Sequence, residues 1–250
     1  MDLGLAGRVY IVSGGSRGLG RATAEVLVAE GASVVLGARD STAVERAAQE
    51  LGGAGHAVGI TADLAQAAAA QRLVEAAHNA YGGIDGALVS VGGPAPGTAI
   101  DTSEQDWRAG FDSAFLGVLR LTKAVAARLD AGGSIALVLS TSARSPIAGL
   151  AVSNGLRPGL AMLTKQLADE LGPRGIRVNG LLPGRVATDR TLSLDGGDDQ
   201  KRARNEAAIP LGRYGEPAEF GRVAAFVLSP AASYVTGSLL AVDGGALRAL

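Results

Sequence analysis

Residues 9–20 read Val9-Tyr-Ile-Val-Ser13-Gly14-Gly-Ser16-Arg17-Gly18-Leu19-Gly20. The first four are apolar and strand-forming, a glycine-rich turn comes next, and residues 21–30 carry a helical pattern that stops at Gly31. A strand that turns on glycines into a helix is the outline of a phosphate cradle. Glycines let the backbone approach a pyrophosphate, and the helix start offers unpaired N–H groups and a positive dipole end. Ser13, Gly14, Ser16, Arg17, Gly18, Leu19 and Gly20 are therefore expected to bind a dinucleotide.

The same rhythm continues outward from this stretch. Short apolar runs at 33–36, 56–60, 87–91, 134–139, 176–181 and 239–242 read as strands. Helical patterns at 42–51, 66–81, 104–129, 160–171 and 217–228 separate them. Strands without polar alternation, spaced by helices, predict an α/β single-domain Rossmann fold. Its core would be a doubly wound parallel seven-stranded sheet with helices on both faces. No linker or repeat divides 1–250. Residues 189–210 hold the longest polar interruption, with Gly196-Gly-Asp-Asp199, and are expected to form a loop that acts as a lid.

Composition narrows the function. Hydrophobic residues make up 47%, enough for a sizeable core, and the formal net charge of -1 argues against a nucleic-acid partner. Cysteine is absent, which excludes disulfides and thiolate metal sites. His56 and His78 lack metal-ligand spacing, so no metal is expected. The N-terminal stretch does not resemble a signal peptide, and no apolar run reaches membrane-spanning length. The expectation is a cytoplasmic protein with no membrane partner.

The end of the second strand selects the cofactor. An acidic residue there would accept bonds from a free ribose. Gly37-Ala-Arg39 stands there instead, with Arg17 in the first loop, and two guanidiniums suit a 2′-phosphate. NADP(H) is favoured over NAD(H). Asp40 is the dissenting residue, able to pair with Arg39 or to contact ribose itself.

Taken together these motifs resemble the short-chain dehydrogenase/reductase family over essentially the whole chain. Ser13-Gly14-x-x-x-Gly18-x-Gly20 is similar to its Thr-Gly-x-x-x-Gly-x-Gly pattern, and Asp63-Leu64 to the pair that contacts adenine. Leu171-Gly-Pro-Arg-Gly-Ile-Arg-Val-Asn179 and Pro183-Gly184 resemble the segment before the nicotinamide loop. Pro210-Leu-Gly-Arg-Tyr-Gly-Glu-Pro217 and Val242-Asp-Gly-Gly245 resemble the β-ketoacyl-carrier-protein reductase branch. The resemblance implies that Asp63, Leu64, Gly92, Arg157, Pro183, Gly184, Val186 and Thr188 join the cofactor site. It also implies a homo-oligomer, a tetramer or dimer, built on the helices across 104–129 and 160–171 and on the last strand.

The catalytic positions depart from that pattern. The family uses a serine to hold the substrate oxygen, a tyrosine to exchange its proton, a lysine on the ribose and an asparagine in the long helix. Counting back from Leu163-Thr-Lys165 puts the tyrosine at Ser153 and the lysine at Arg157. The serine then falls at Ser140 and the asparagine at Ala114. Ser140, Ser153 and Arg157 are thus the catalytic candidates of an atypical member. Serine is a far weaker acid than tyrosine, and arginine is a poor proton shuttle. Pro158 disfavours helical geometry at Arg157, so the helix is expected to start later than in the family, or to be capped by Asn154. Arg144 and Arg185 could join Arg157 in a cationic, hydroxyl-lined pocket, but surface arginines near loops are common and a scattered placement is favoured. The leading reading is an NADP(H)-dependent oxidoreductase acting on a small carbonyl or alcohol through a non-standard proton relay. The alternatives are a non-redox cyclase, dehydratase or isomerase, and a catalytically silent NADP(H)-binding protein.

Overall fold

Seven parallel strands form one sheet in the order β3-β2-β1-β4-β5-β6-β7 in a computed structural model that describes residues 2–248. The strands are β1 (Val9–Ser13), β2 (Ser33–Ala38), β3 (Ala57–Thr61), β4 (Gly86–Val89), β5 (Ser134–Val138), β6 (Arg177–Pro183) and β7 (Leu239–Val242). The helices are α1 (Gly18–Ala29), α2 (Ser41–Glu50), α3 (Ala69–Tyr81), α4 (Glu104–Phe111), α5 (Gly117–Ala126), α6 (Ala151–Leu171), α7 (Asp189–Asp195), α8 (Asp199–Ala207) and α9 (Pro217–Leu228). The chain winds out from β1 to β3, crosses back, and adds β4 to β7 on the other side. The order reverses between β1 and β4, which opens a crevice at the carboxyl ends of these strands.

Burial on both faces explains why the strands read as unbroken apolar runs. On one face Ile11, Val35, Val89, Ile135 and Leu137 pack against Leu73 of α3, Leu121 of α5 and Leu160 of α6. On the other Val12, Val34, Leu36 and Leu88 pack against Leu27 of α1, Val44 of α2 and Phe220 of α9. Helices α1 and α9 lie backbone to backbone. A Cβ on Gly221 would stand 2.5 Å from the Ala22 carbonyl oxygen, so only glycine permits this approach. No helix among the described residues is long and apolar enough to cross a membrane.

Three expectations need correction. The pattern over 104–129 is not one helix: α4 passes through a π-helical turn at Asp112–Leu116 before α5. Such a turn inserts one residue into a helix and re-aims the turns beyond it, which periodicity does not report. Residues 189–210 are not a loop but chiefly the helices α7 and α8, capped by Thr188 and Asp198 through the backbone N–H groups of Thr191 and Lys201. The helix expected at 160–171 begins at Ala151 and carries Pro158 inside it. Its entry is held by tertiary contacts that outweigh the proline. The Ala151 N–H donates to the Gly97 carbonyl, and the Gly97 N–H to that of Gly149. Asn154 caps nothing: its amide clamps Ile147, accepting from the Ile147 N–H and donating to the Ile147 carbonyl, both at 2.9 Å. Pro158 is exposed to solvent.

Candidate active site

The crevice has a backbone-built half and a side-chain-built half. In the first, β1 runs into the glycine turn and α1. Gly14 and Gly18 sit at φ 64° and 59°, a left-handed conformation that favours glycine. A Cβ on Gly20 would collide with the Gly14 carbonyl oxygen, so the turn folds tightly onto the helix start. The first turn of α1 has no side-chain cap and no acidic residue, which leaves its N–H groups and positive end facing the crevice. Ser13 serves the turn differently from its neighbours. Its buried hydroxyl donates to the Ser90 carbonyl at 2.7 Å and accepts from the Ser90 N–H at 2.9 Å, pinning β1 to the end of β4. Ser16 and Leu19 are half-buried along the turn. The Gly15 N–H donates to the Gly37 carbonyl, holding the turn to β2.

Around this cradle stand the side chains expected to choose the cofactor. Arg17 and Arg39 are both exposed, and neither joins an ion pair among the described residues. Asp40 does not pair with Arg39. Its carboxylate caps α2, accepting from the Ala43 N–H at 2.9 Å. Asp63 accepts from the Ala65 N–H through one oxygen, leaving the other free, and Leu64 is buried beneath Gly117. On the opposite wall Gly92 lies open. Gly184 is pressed against Asp243 at the end of β6, beside Pro183. Val186 is buried and bridges to Gly215. A Cβ on Gly18 would touch the Thr188 methyl at 3.5 Å, so this wall meets the glycine turn across the crevice. Uncapped N–H groups and a cradle that a Cβ would fill fit the pyrophosphate of a dinucleotide.

The second half lies where β5 ends and α6 begins. Ser153 and Arg157 stand one turn apart on the α6 face toward β5. Arg157 is 4% exposed and donates from Nη1 to the Val138 carbonyl at 2.9 Å. Among the described residues no fully buried side-chain nitrogen or oxygen lacks a partner, so its other nitrogens keep some contact with solvent. Burial pushes the Arg157 guanidinium down to about 10, and the charge of Arg190 pushes the same way. Ser140 Oγ accepts from the Ser142 N–H at 3.1 Å. Ser153 does not bond Ser140. Its hydroxyl pairs with that of Ser142 at 3.0 Å, and both serines are buried.

Arg144 and Arg185 do not converge on Arg157. Arg144 donates to the Leu239 carbonyl, and Arg185 pairs with Asp195. Arg190 supplies a second cation instead. Its guanidinium lies over Gly93 and donates to the Pro94 carbonyl at 2.8 Å, tying α7 to the segment after β4. Sequence reasoning missed Arg190 because it sits in the segment read as a polar interruption. It also missed buried Asp195, which accepts from the Tyr214 hydroxyl at 2.9 Å and from Asn205 at 3.1 Å. Tyr214 is thus a strut of this latch beneath α7 and α8. Among the described residues no group of three or more metal-ligating side chains is placed to hold a metal ion.

A family model described as enoyl-(acyl carrier protein) reductase matches residues 14–246, and so spans nearly the whole crevice and sheet. The chain belongs to the short-chain dehydrogenase/reductase family. An uncharacterised oxidoreductase of Methylorubrum extorquens is 37% identical over 244 residues, covering 96% of this chain and 98% of that one. Among solved structures, a short-chain dehydrogenase/reductase described as glucose/ribitol dehydrogenase, from Brucella melitensis, superposes with a TM-score of 0.94 at 32% identity over all of both chains. L-Sorbose reductase from Gluconobacter frateurii, solved with NADPH and L-sorbose, superposes with a TM-score of 0.90 at 29% identity, again over all of both chains. As in other short-chain dehydrogenase/reductases, the crevice at the strand ends is built for a nicotinamide cofactor and oxidoreductase chemistry.

Proposed function

We propose that the protein is an NADP(H)-dependent oxidoreductase that interconverts a small carbonyl compound and its alcohol, with Ser140, Ser153 and Arg157 in place of the usual catalytic set. The observation that carries the cofactor choice is at the end of β2. Arg17 and Arg39 are unpaired there, while the one nearby carboxylate, Asp40, is engaged as the cap of α2. Charge-assisted bonds from two guanidiniums to a 2′-phosphate are worth roughly 1.5–3 kcal/mol each. A nicotinamide supplies the hydride when bound. The residues do the rest. The turn from Gly14 to Gly20 and the start of α1 hold the pyrophosphate, the free Asp63 oxygen accepts from the adenine, and Arg157 reaches the ribose side of the crevice from beneath.

Ser140 is set to hold the reacting oxygen. Its Oγ already accepts from the Ser142 N–H, so its own proton is free to be donated into the crevice. Ser153 and Arg157 occupy the positions of the family's tyrosine and lysine. Helix α6 supports this placement, because its unbroken run from Ala151 keeps both residues on the crevice face. Helices α7 and α8 serve as the lid, latched by Arg190 to Pro94 and by Asp195 to Tyr214 and Arg185. Homo-oligomerisation through α4, α5 and α6 is supported by exposed Phe111 and Met162 and by an apolar groove of about 430 Å³ between Trp107, Leu116 and Leu156.

Calorimetric titration with NADPH and NADH tests the reading, together with NADPH oxidation over a panel of aldehydes, ketones and keto acids. NADPH is expected to bind at least about tenfold tighter than NADH, and Arg39→Ala to weaken NADPH by about 10–100-fold while sparing NADH. No binding of either nucleotide, or equal binding of both, overturns the cofactor choice. A protein that binds NADPH and reduces nothing in the panel overturns the oxidoreductase reading.

A further inference from the structure

Between α6 and the segment after Ser140 lies a second cavity of about 150 Å³ that opens to solvent. Its lining includes Ser142, Arg144, Ser145, Asn154 and Pro158. Much of its lining is apolar, but the helix adds a polar group to the wall. Pro158 has no N–H to give the carbonyl of Asn154 four residues back, so this carbonyl loses its usual donor where both residues line the cavity. Arg144, Ser145, Pro146 and Pro158 are exposed at the mouth, while Ser142 is 3% exposed at the inner end. Open to solvent, with the Ser142 hydroxyl and the Asn154 carbonyl as polar partners, the cavity has room for a water.

Ser142 joins this cavity to the crevice. Its N–H donates to Ser140 Oγ, and its hydroxyl lies 3.0 Å from that of Ser153. It therefore touches both serines assigned to the reaction and also faces the water-accessible side. The opposite wall of the crevice has no such connection. There the π-helical turn presents Ala114, which is buried and carries no proton-bearing group.

We propose that Ser153 and Ser142 form a two-hydroxyl relay that carries the proton between the reacting oxygen in the crevice and water in the second cavity. The inference rests on the oxidoreductase reading. In the reducing direction the substrate's carbonyl carbon receives a hydride with its electron pair, and the C=O double bond becomes a single bond. Its oxygen takes the Ser153 proton as the Ser153 O–H bond breaks. Ser153 Oγ takes the proton of Ser142, and Ser142 Oγ takes one from cavity water, which bulk acid replenishes. Both serines begin and end neutral, so no serine alkoxide accumulates, and one solvent proton is consumed per hydride. Oxidation of an alcohol runs the same chain outward. Arg157 beside Ser153 and Arg144 at the mouth keep the surroundings positive, which favours the anionic character that develops on the reacting oxygen.

Three measurements test the relay. A crystal structure of the cofactor-free protein is expected to show an ordered water within hydrogen-bond reach of Ser142 Oγ in the cavity, and a dry cavity overturns the proposal. Ser142→Ala is expected to bind NADPH as the parent does, to lose turnover at least about tenfold, and to regain part of it with added imidazolium buffer. Ser142→Thr, which keeps a hydroxyl, is expected to retain most of the turnover. Ser145→Phe, filling the mouth from an exposed position, is expected to slow turnover with the NADPH dissociation constant unchanged. A wild-type enzyme that reduces carbonyls, with Ser142→Ala equally fast and insensitive to buffer, overturns the relay alone. A wild-type protein that binds NADPH and reduces none of the panel overturns the oxidoreductase reading, and the relay falls with it.

Discussion

Helices α1 and α6 both start at the carboxyl edge of the sheet and turn their first residues to the same crevice, but they equip it by different means. Helix α1 works through backbone. Its turn is glycine, its start is uncapped, and it offers a ligand N–H groups and a dipole. Helix α6 works through side chains. Ser153 and Arg157 project from it, and its backbone is anchored to Gly97 before the crevice begins. A backbone device tolerates almost no change, because any Cβ alters it. A side-chain device can exchange residue types on an unchanged helix. This contrast fits the proposed reading, in which the cofactor half of the crevice keeps its family pattern and the catalytic half departs from it.

The sharpest way to break the contrast is at Gly20. Gly20→Val puts a branched side chain against the Gly14 carbonyl, and it is expected to abolish NADPH binding and to lower stability by about 1–3 kcal/mol. Calorimetry and urea unfolding check both, and a variant that binds like the parent would show that close backbone contact does not make the cradle. Pro158→Ala is the counterpart on α6. Restoring an N–H to the Asn154 carbonyl is expected to raise stability by about 1–3 kcal/mol in the same unfolding assay. A loss instead would mean that the proline suits this helix.

Arg157 sharpens the comparison at intermediate size. Arg157→Leu is expected to weaken NADPH by about tenfold, or 1.4 kcal/mol. Its melting temperature should move little, because the lost bond to Val138 is offset by removal of a buried cation. Burial, with Arg190 adding, pushes the folded-state Arg157 down to about 10, so its charge is present below that pH and lost above it. NADPH affinity should therefore fall as pH rises through about 10 in the parent and less steeply in Arg157→Leu. For stability the sign is opposite. The unfolded chain holds this proton more tightly, so this group makes stability rise with pH from about 10 up toward the ordinary arginine value. The smallest effect is expected at Asp40. Asp40→Ala should cost about 1 kcal/mol as a lost helix cap and leave the NADPH dissociation constant unchanged. A clear change in nucleotide preference would make Asp40 a ribose contact after all.

Much of this architecture is legible along the chain because the signals are local. A strand, a glycine turn and a helix within 9–29 need only neighbouring residues to declare themselves, and the apolar runs of the remaining strands reflect burial on both faces. Legibility fails where distant residues decide. The proline at 158 argues for a late helix start, and the Gly97 segment and the Asn154 clamp on Ile147 override it. The caps Thr188 and Asp198 are readable signals for α7 and α8, hidden by the polar composition around them. The π-helical turn leaves no trace in the periodicity of 104–129.

Residue order by itself determines the fold class and the glycine turn that opens α1, because glycine geometry and apolar period act over a few residues. That Ser153 and Arg157 stand one turn apart follows from α6 running from Ala151 through Pro158, which the contacts at Gly97 and Ile147 decide. Only the tertiary structure decides that Ser153 pairs with Ser142 and not with Ser140, and that Asp40 is a cap. It alone brings Arg190, and not Arg144 or Arg185, toward Arg157. A hydrogen bond or a charge contact forms only between groups that packing has brought within a few ångströms, and sequence distance does not measure that approach.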